Sequence, residues 1–412
     1  MQLSVPAVRS DRIAAASVPA AFFVANLLSY ALLLIAAHRM PSAQYGILSS
    51  LLSLLLVSTI PMLAIQTVAA RRAANGAASA GAVRGTAQVA VLSTVLMAGL
   101  SPALSLFLHL DDVLDILLVA LSVGPTTFLG AATGIAQGRR RFRALAGLIL
   151  ATTGSRSLGG LIGLVLGGTP TTTLVGVLVG LYAACAGVAW WTHAVPVLGA
   201  ALRLRERSGL VAEALHAGHA HGTFLLLTSL DVLLARHVLS AHNAGVYAVG
   251  SVVTRAALWL PQSVILLLFA SLSESHRHRE AARRATAVVA ALGVLVVAGC
   301  AVLGAVVVSV VGGSRYRELD GTVWLFAALG AMLAFVQLSV LAGLAQRNRR
   351  RTTVLWATVV LDIVVVLRMG SAATTTSLVV ALLVTTTFAA AIAIWTTLRS
   401  DFAQPSPIRS ST

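Results

Sequence analysis

The sequence predicts an all-α polytopic membrane protein of about twelve transmembrane helices, arranged as two six-helix bundles in a parallel pseudo-repeat. Three observations predict it. The composition is one that water does not tolerate, the apolar runs collect their arginines in alternate loops, and one helix ending occurs twice.

Of the chain, 58% is hydrophobic and only 10% charged, against roughly 25% charged in soluble domains. So much apolar surface needs lipid as its solvent. Runs long enough to cross a hydrocarbon core fall at 17–37, 45–70, 85–108, 112–136, 144–167, 172–198, 213–235, 244–271, 285–311, 321–345, 353–369 and 373–398. None shows the ten-residue alternation of a membrane β-barrel. The first run leads directly into another span, so it reads as a retained helix and not a cleaved signal. Cys185 and Cys300 both fall inside runs and read as small apolar filler.

A net charge of +16 invites a nucleic-acid reading, but its distribution argues for topology. All 29 basic residues are arginine, and loops on one side hold 22 of them, including Arg139, Arg140, Arg141 and Arg143. The other side holds Arg39, Arg236, Arg315, Arg317 and Arg368. This is the positive-inside pattern of a bacterial cytoplasmic-membrane protein with both termini cytoplasmic, and anionic lipid headgroups add to it. No nucleic-acid partner is expected.

GIAQGRRRFR (134–143) closes the fourth run, and GLAQRNRRRT (343–352) closes the tenth, 209 positions later. A second match supports the first: His38 and His237 are 199 apart, as are Gly46 and Gly245, and Pro61 and Pro261 are 200 apart. Residues 1–199 and 213–412 therefore read as two bundles joined by a basic cytoplasmic linker, 200–212. An even number of spans per half gives both the same orientation, with the pseudo-two-fold axis along the membrane normal.

Three charges lie near mid-membrane. Arg156 is roughly 20 Å past Arg143, Arg255 about 15 Å past Gly245, and Asp362 about 16 Å past Arg351, at 1.5 Å per residue. Each costs at least about 2.5–3.5 kcal/mol to insert, so each should face a cavity or a partner. With the 209 offset Asp362 maps one turn from Arg156, so the two either pair across the axis or line a cationic cavity. Asp231 lies five residues before Arg236 and is either its ion-pair partner or a proton or sodium site. Asn26, Gln66 and Gln337 either line the cavity or hydrogen-bond between helices. Pro61 and Pro261 remove backbone donors mid-helix and mark static kinks or hinges. His216, His219 and Glu213 share a helix face near His221, but without cysteine or a further carboxylate they make a poor metal site.

No nucleophile motif, phosphate-binding glycine loop or paired carboxylates suggest an enzyme, and no cofactor is implied. The outer loops are too short for the catalysis of glycan polymerases. The loop RRAANGAASAGAVRG lacks the Asp of the major facilitator signature at that position.

HRMPSAQYGILSSLLSLL (38–55) resembles the start of the lipid-linked oligosaccharide and polysaccharide flippases, with Met40 where leucine is usual. SLDVLLARHVLSAHNAGVYAVGSVVTRAALWLPQSVILLLFASLSE (229–274) resembles their seventh and eighth helices, with Ala270 departing from the usual proline. That family belongs to the multidrug, oligosaccharidyl-lipid and polysaccharide exporter superfamily. The resemblance implies a V-shaped fold and alternating access. It also implies a polyprenyl-diphosphate-linked glycan substrate whose headgroup crosses a cationic cavity, with Arg255 on a cavity-lining helix and Arg156 in its neighbourhood. Membrane lipids and glycan polymerases or glycosyltransferases are the implied partners. Two other readings stay open: a drug or metabolite cation antiporter of the same superfamily, and a non-transporting scaffold for glycan assembly.

Overall fold

The computed structural model describes residues 6–76, 80–191, 210–272, 278–346 and 349–399, which are helical almost throughout. The N-terminal half runs α1 (Pro6–Arg39), α2 (Ser42–Val57), α3 (Ile60–Ala74), α4 (Ala80–Gly99), α5 (Ser101–Phe107) and α6 (Leu114–Gly138). It continues with α7 (Phe142–Ile149), a π-helical turn (Leu150–Gly154), α8 (Ser155–Gly167) and α9 (Pro170–Trp191). The C-terminal half comprises α10 (Leu210–Val238), α11 (Ala241–Leu272), α12 (His278–Val302) and α13 (Gly304–Val311). A 3₁₀ turn (Ser314–Leu319) leads to α14 (Val323–Gln346), α15 (Arg349–Met369) and α16 (Thr375–Arg399). Most of the expected linker, 200–209, lies outside the described residues.

These segments follow the expected runs, but several are not single rods. The second run breaks at Ser58 and Thr59, so Pro61 sits in the first turn of α3. That corrects the expectation of a mid-helix proline: at this position the missing N–H has no helical partner to lose. Pro261 lies inside α11, its side chain outside the described residues. The third run bends by 48° between α4 and α5, and the ninth by 90° between α12 and α13. Among the described residues six helices are long and apolar enough to cross a membrane, or eight with the bent pairs counted. Three further segments, α10, α11 and α15, carry Asp231, Arg255 and Asp362.

Glycines set how closely the helices approach. Lipid tails are as apolar as leucine, so packing in a membrane depends on small residues that let backbones touch. On α6, a Cβ added at Gly134 or Gly138 would lie 2.3 or 2.2 Å from the carbonyl oxygens of Gln66 and Ala70 on α3. The glycines of the repeated ending are thus contact points for α3. Gly159 and Gly163 on α8 interlock with Gly176 and Gly180 on α9 in the same way.

The core of the N-terminal half gathers Leu51, Leu54, Ile116, Leu129, Leu148 and Leu174. The larger core of the C-terminal half, around Tyr247, Phe326, Leu333 and Leu378, also takes in Leu32, Met40, Tyr45 and Leu48 from α1 and α2. At the arginine-rich end a small cluster among the described residues, Ala64, Ile65, Val68 and Val89 with Ala214, joins the halves.

Candidate functional site

The repeat-related glycines meet each other. A Cβ on Gly46 would lie 2.9 Å from the Gly245 nitrogen, and one on Gly245 only 2.0 Å from the Ser42 carbonyl oxygen. α2 and α11 therefore cross with their backbones in contact. Further along the same pair, Arg255 on α11 donates from Nη2 to Ser53 Oγ on α2 at 2.7 Å. Its Nε is buried without a partner. Tyr30, Tyr45 and Tyr247 surround the guanidinium within electrostatic reach.

Behind Arg255, three helices of the C-terminal half bring two carboxylates together. Thr385 on α16 donates from its hydroxyl to Asp362 on α15, which is only 4% exposed. Asp231 on α10 is half-buried, and its Oδ1 is buried with no hydrogen-bond partner. The field of Asp231 reaches Asp362 and Tyr247, and Arg255 lies within its range as well. Arg255, at the interface of the halves, thus lies within electrostatic range of Asp231, which in turn lies within range of Asp362.

Arg156 does not join this group. Its helix packs on α1 and α9, with Gly160 against Leu32 and Val177, and no acidic partner reaches it among the described residues. The pairing of Arg156 with Asp362 expected from the repeat is not formed, because Asp362 turns toward Thr385 and Asp231 within its own half. Nor does Asp231 pair with Arg236. Arg236 instead donates across the halves to the carbonyl oxygens of Leu108 (3.0 Å) and His109 (3.2 Å).

The neutral polar residues divide. Gln337 is buried with Oε1 unpartnered. Gln66 donates to Gln137 at 3.2 Å and so ties α3 to α6, and Asn26 donates to its own helix at Phe22. The side chains of His216, His219 and His221 lie outside the described residues. Glu213, from the same stretch, binds Arg72 at 2.6 Å and Arg71 at 3.5 Å.

The described residues make contacts across the halves at both ends of the interface. The arginine-rich end closes with Glu213 and the small contacts of Gly218 and Gly222 on Ala64 and Ile60. At the far end His237 Nδ1 meets the Phe107 carbonyl at 2.8 Å while its ring stacks on Phe107. Arg315 donates to the Met40 carbonyl, and His242 bridges Ser42 and Glu318. Tyr316 packs edge-on against Tyr45, and burial, partly offset by the Arg315 charge, pushes its hydroxyl up to about 12, so it stays neutral. Sequence reasoning missed Ser53, Thr385, Tyr247 and this far-end closure; only Gly46 and Gly245 gave a signal of where the halves touch.

No protein-family model and no curated protein matches the chain. Solved structures do. The chain is similar to the lipid II flippase MurJ in an inward closed conformation, with TM-score 0.63 and 12% identity over 92% of this chain and 86% of that one. An outward-facing multidrug resistance MATE family transporter of the MOP superfamily matches with TM-score 0.57 and 12% identity over 93% of both chains. A MOP superfamily transporter from Pyrococcus furiosus matches with TM-score 0.51 and 12% identity over 93% of both. At these identities the likeness is one of fold. The chain has the all-helical fold of these multi-pass membrane exporters.

Proposed function

We propose that this protein is a membrane transporter, and specifically a flippase for a polyprenyl-diphosphate-linked oligosaccharide. The observation that supports this most is Arg255: a guanidinium at bilayer depth, at the seam of the two halves, held by a serine hydroxyl and with Nε unpartnered. A planar fork with free donors suits bidentate capture of phosphate oxygens. The fold is that of lipid and drug exporters, and one of them, from Pyrococcus furiosus, is described as having a binding pocket of reversed polarity.

In this reading residues 1–199 and 213–412 act as two bundles that rock about the α2–α11 contact. The arginine-rich end faces the cytoplasm, and Asp231 and Asp362 take the coupling ion or proton. Arg156 lies too deep in its own bundle to share the diphosphate in this conformation, and it would join only after the halves rearrange. Flipping of a labelled polyprenyl-diphosphate sugar in reconstituted vesicles tests the reading. Arg255→Ala should abolish flipping and Arg255→Lys should retain part of it; an unchanged rate in Arg255→Ala would falsify the assignment.

The two neighbouring acids, half-buried Asp231 and buried Asp362, favour a second reading, an antiporter of organic cations. That reading requires proton- or sodium-driven export of a cationic dye, lost in Asp362→Asn and indifferent to Arg255.

A further inference from the structure

Between the central site and the arginine-rich end, the halves leave a groove of about 270 Å³. Ile60, Pro61 and Leu92 from α3 and α4 form one wall; Gly222, Leu226 and Trp356 from α10 and α15 form the other. Among the described residues the lining is almost wholly apolar and carries no charged side chain. At its edge Gly222 lets α10 approach α3 closely: a Cβ there would lie 3.0 Å from Ile60 Cγ2. It is open to the hydrocarbon, since Leu92 and Trp356 on its rim are 58% and 40% exposed. A dry apolar slot open to lipid loses contact energy unless chain atoms fill it.

What would fill it is indicated by the charge beyond its end. From Ala64 in the groove, α3 continues seven residues to Arg71, about 10 Å toward the arginine-rich end. Arg72 takes the close contact with Glu213, whereas Arg71 stands 3.5 Å from it with its side chain 61% exposed. The guanidinium of Arg71 is therefore free to turn to an outside anion. An apolar slot at chain depth and an exposed cation one to two turns nearer the surface match the two ends of an anionic lipid.

We propose that this groove binds one acyl chain of an anionic phospholipid from the leaflet at the arginine-rich end, with the lipid phosphate on Arg71. Both halves line the groove, so parting α3 from α10 dismantles it. The bound lipid thus favours the closed arrangement by its differential affinity for it. This inference requires only that the chain sit in a bilayer, not the substrate proposed above.

Trp356 supplies the test. In a variant whose Trp190, Trp191, Trp259, Trp324 and Trp395 are replaced by Phe, emission comes from the groove alone. In phosphatidylcholine vesicles, phosphatidylglycerol with brominated chains should quench it at about a fivefold lower fraction than brominated phosphatidylcholine, the worth of one arginine near an anionic headgroup. Arg71→Gln should bring the two lipids level, and Ser93→Phe, which fills the groove, should remove the tight component for both. Native mass spectrometry of the wild-type chain released from mixed nanodiscs is the second readout: one retained phosphatidylglycerol, lost in Arg71→Gln. Equal quenching by both lipids in the parent would reduce the groove to ordinary lipid solvation and overturn the proposal. Relief of quenching by added polyprenyl phosphate would also overturn it, by giving the groove to an isoprenoid chain.

Discussion

Arg255 and Ser53 lie 202 positions apart in sequence, and their hydrogen bond is a direct side-chain tie between the halves at the centre of the molecule. A bond to a charged group contributes about 1.5–3 kcal/mol when its partner is otherwise desolvated. Ser53→Ala should therefore lower the thermal midpoint of the substrate-free protein. If the proposed flippase reading holds, it should leave flipping far less affected than Arg255→Ala, because the substrate phosphate would replace the serine. Comparing melting curves with vesicle flipping rates checks this, and a variant that fails equally in both would make Ser53 part of the substrate contact. Asp362 carries a charge that can be removed without changing its shape. Asp362→Asn keeps the bond from Thr385 but discards the anion. Uptake driven by a proton or sodium gradient should fall while gradient-free exchange persists; loss of both would assign Asp362 to folding instead. Neither partner could be read from the sequence. A serine or threonine in an apolar helix ordinarily bonds its own backbone, as Ser53 and Thr385 also do, and nothing local says which hydroxyl faces a distant charge.

At the scale of the helix, the chain was far more legible. Apolar length and arginine placement located the segments, because hydrocarbon thickness and loop charge act on each one separately. The bends were marked only faintly: Pro102 follows the break at Leu100, and Gly304 follows the break at Leu303. The π-turn before Arg156 had no marker that distinguishes it from α-helix. Spacing did reveal the glycines, but not which neighbour each would meet. The structure separates them sharply. A Cβ at Gly159 would sit 2.1 Å from the Gly176 carbonyl oxygen, while one at Gly147 would meet nothing within 4 Å. Gly159→Leu should force α8 off α9 and cost at least about 1–3 kcal/mol, the usual range for overpacking. Gly147→Ala should instead be neutral or stabilise by up to about 1 kcal/mol through helix propensity. Thermal midpoints of the two variants in detergent, with comparable yields of folded protein, decide whether this contrast is real.

Among the described residues the halves meet at two ends by different means. The far end continues one hydrophobic core across both halves, from Leu32, Tyr45 and Leu48 to Tyr247, and adds the bonds of buried Arg236 and of the more exposed Arg315 to main-chain carbonyls. The arginine-rich end has five clustered apolar residues and a partly exposed ion pair. Such pairs are worth about 0–1 kcal/mol, so among the described residues this end has the weaker contact and, in the proposed alternating access, should open first. Glu213→Gln removes the ion pair at nearly constant volume. If the pair contributes its upper value of about 1 kcal/mol, the open population should rise up to about fivefold. Ala64→Cys sits buried at this seam and Ala244→Cys at the opposite one, which gives each end its own thiol probe. Labelling of Ala64→Cys by a membrane-permeant maleimide should accelerate in the Glu213→Gln background, while labelling of Ala244→Cys should stay the same or slow. Acceleration at both positions would mean general loosening of the bundle, and no change at Ala64→Cys would mean that the lipid-lined groove, not the ion pair, holds this end shut.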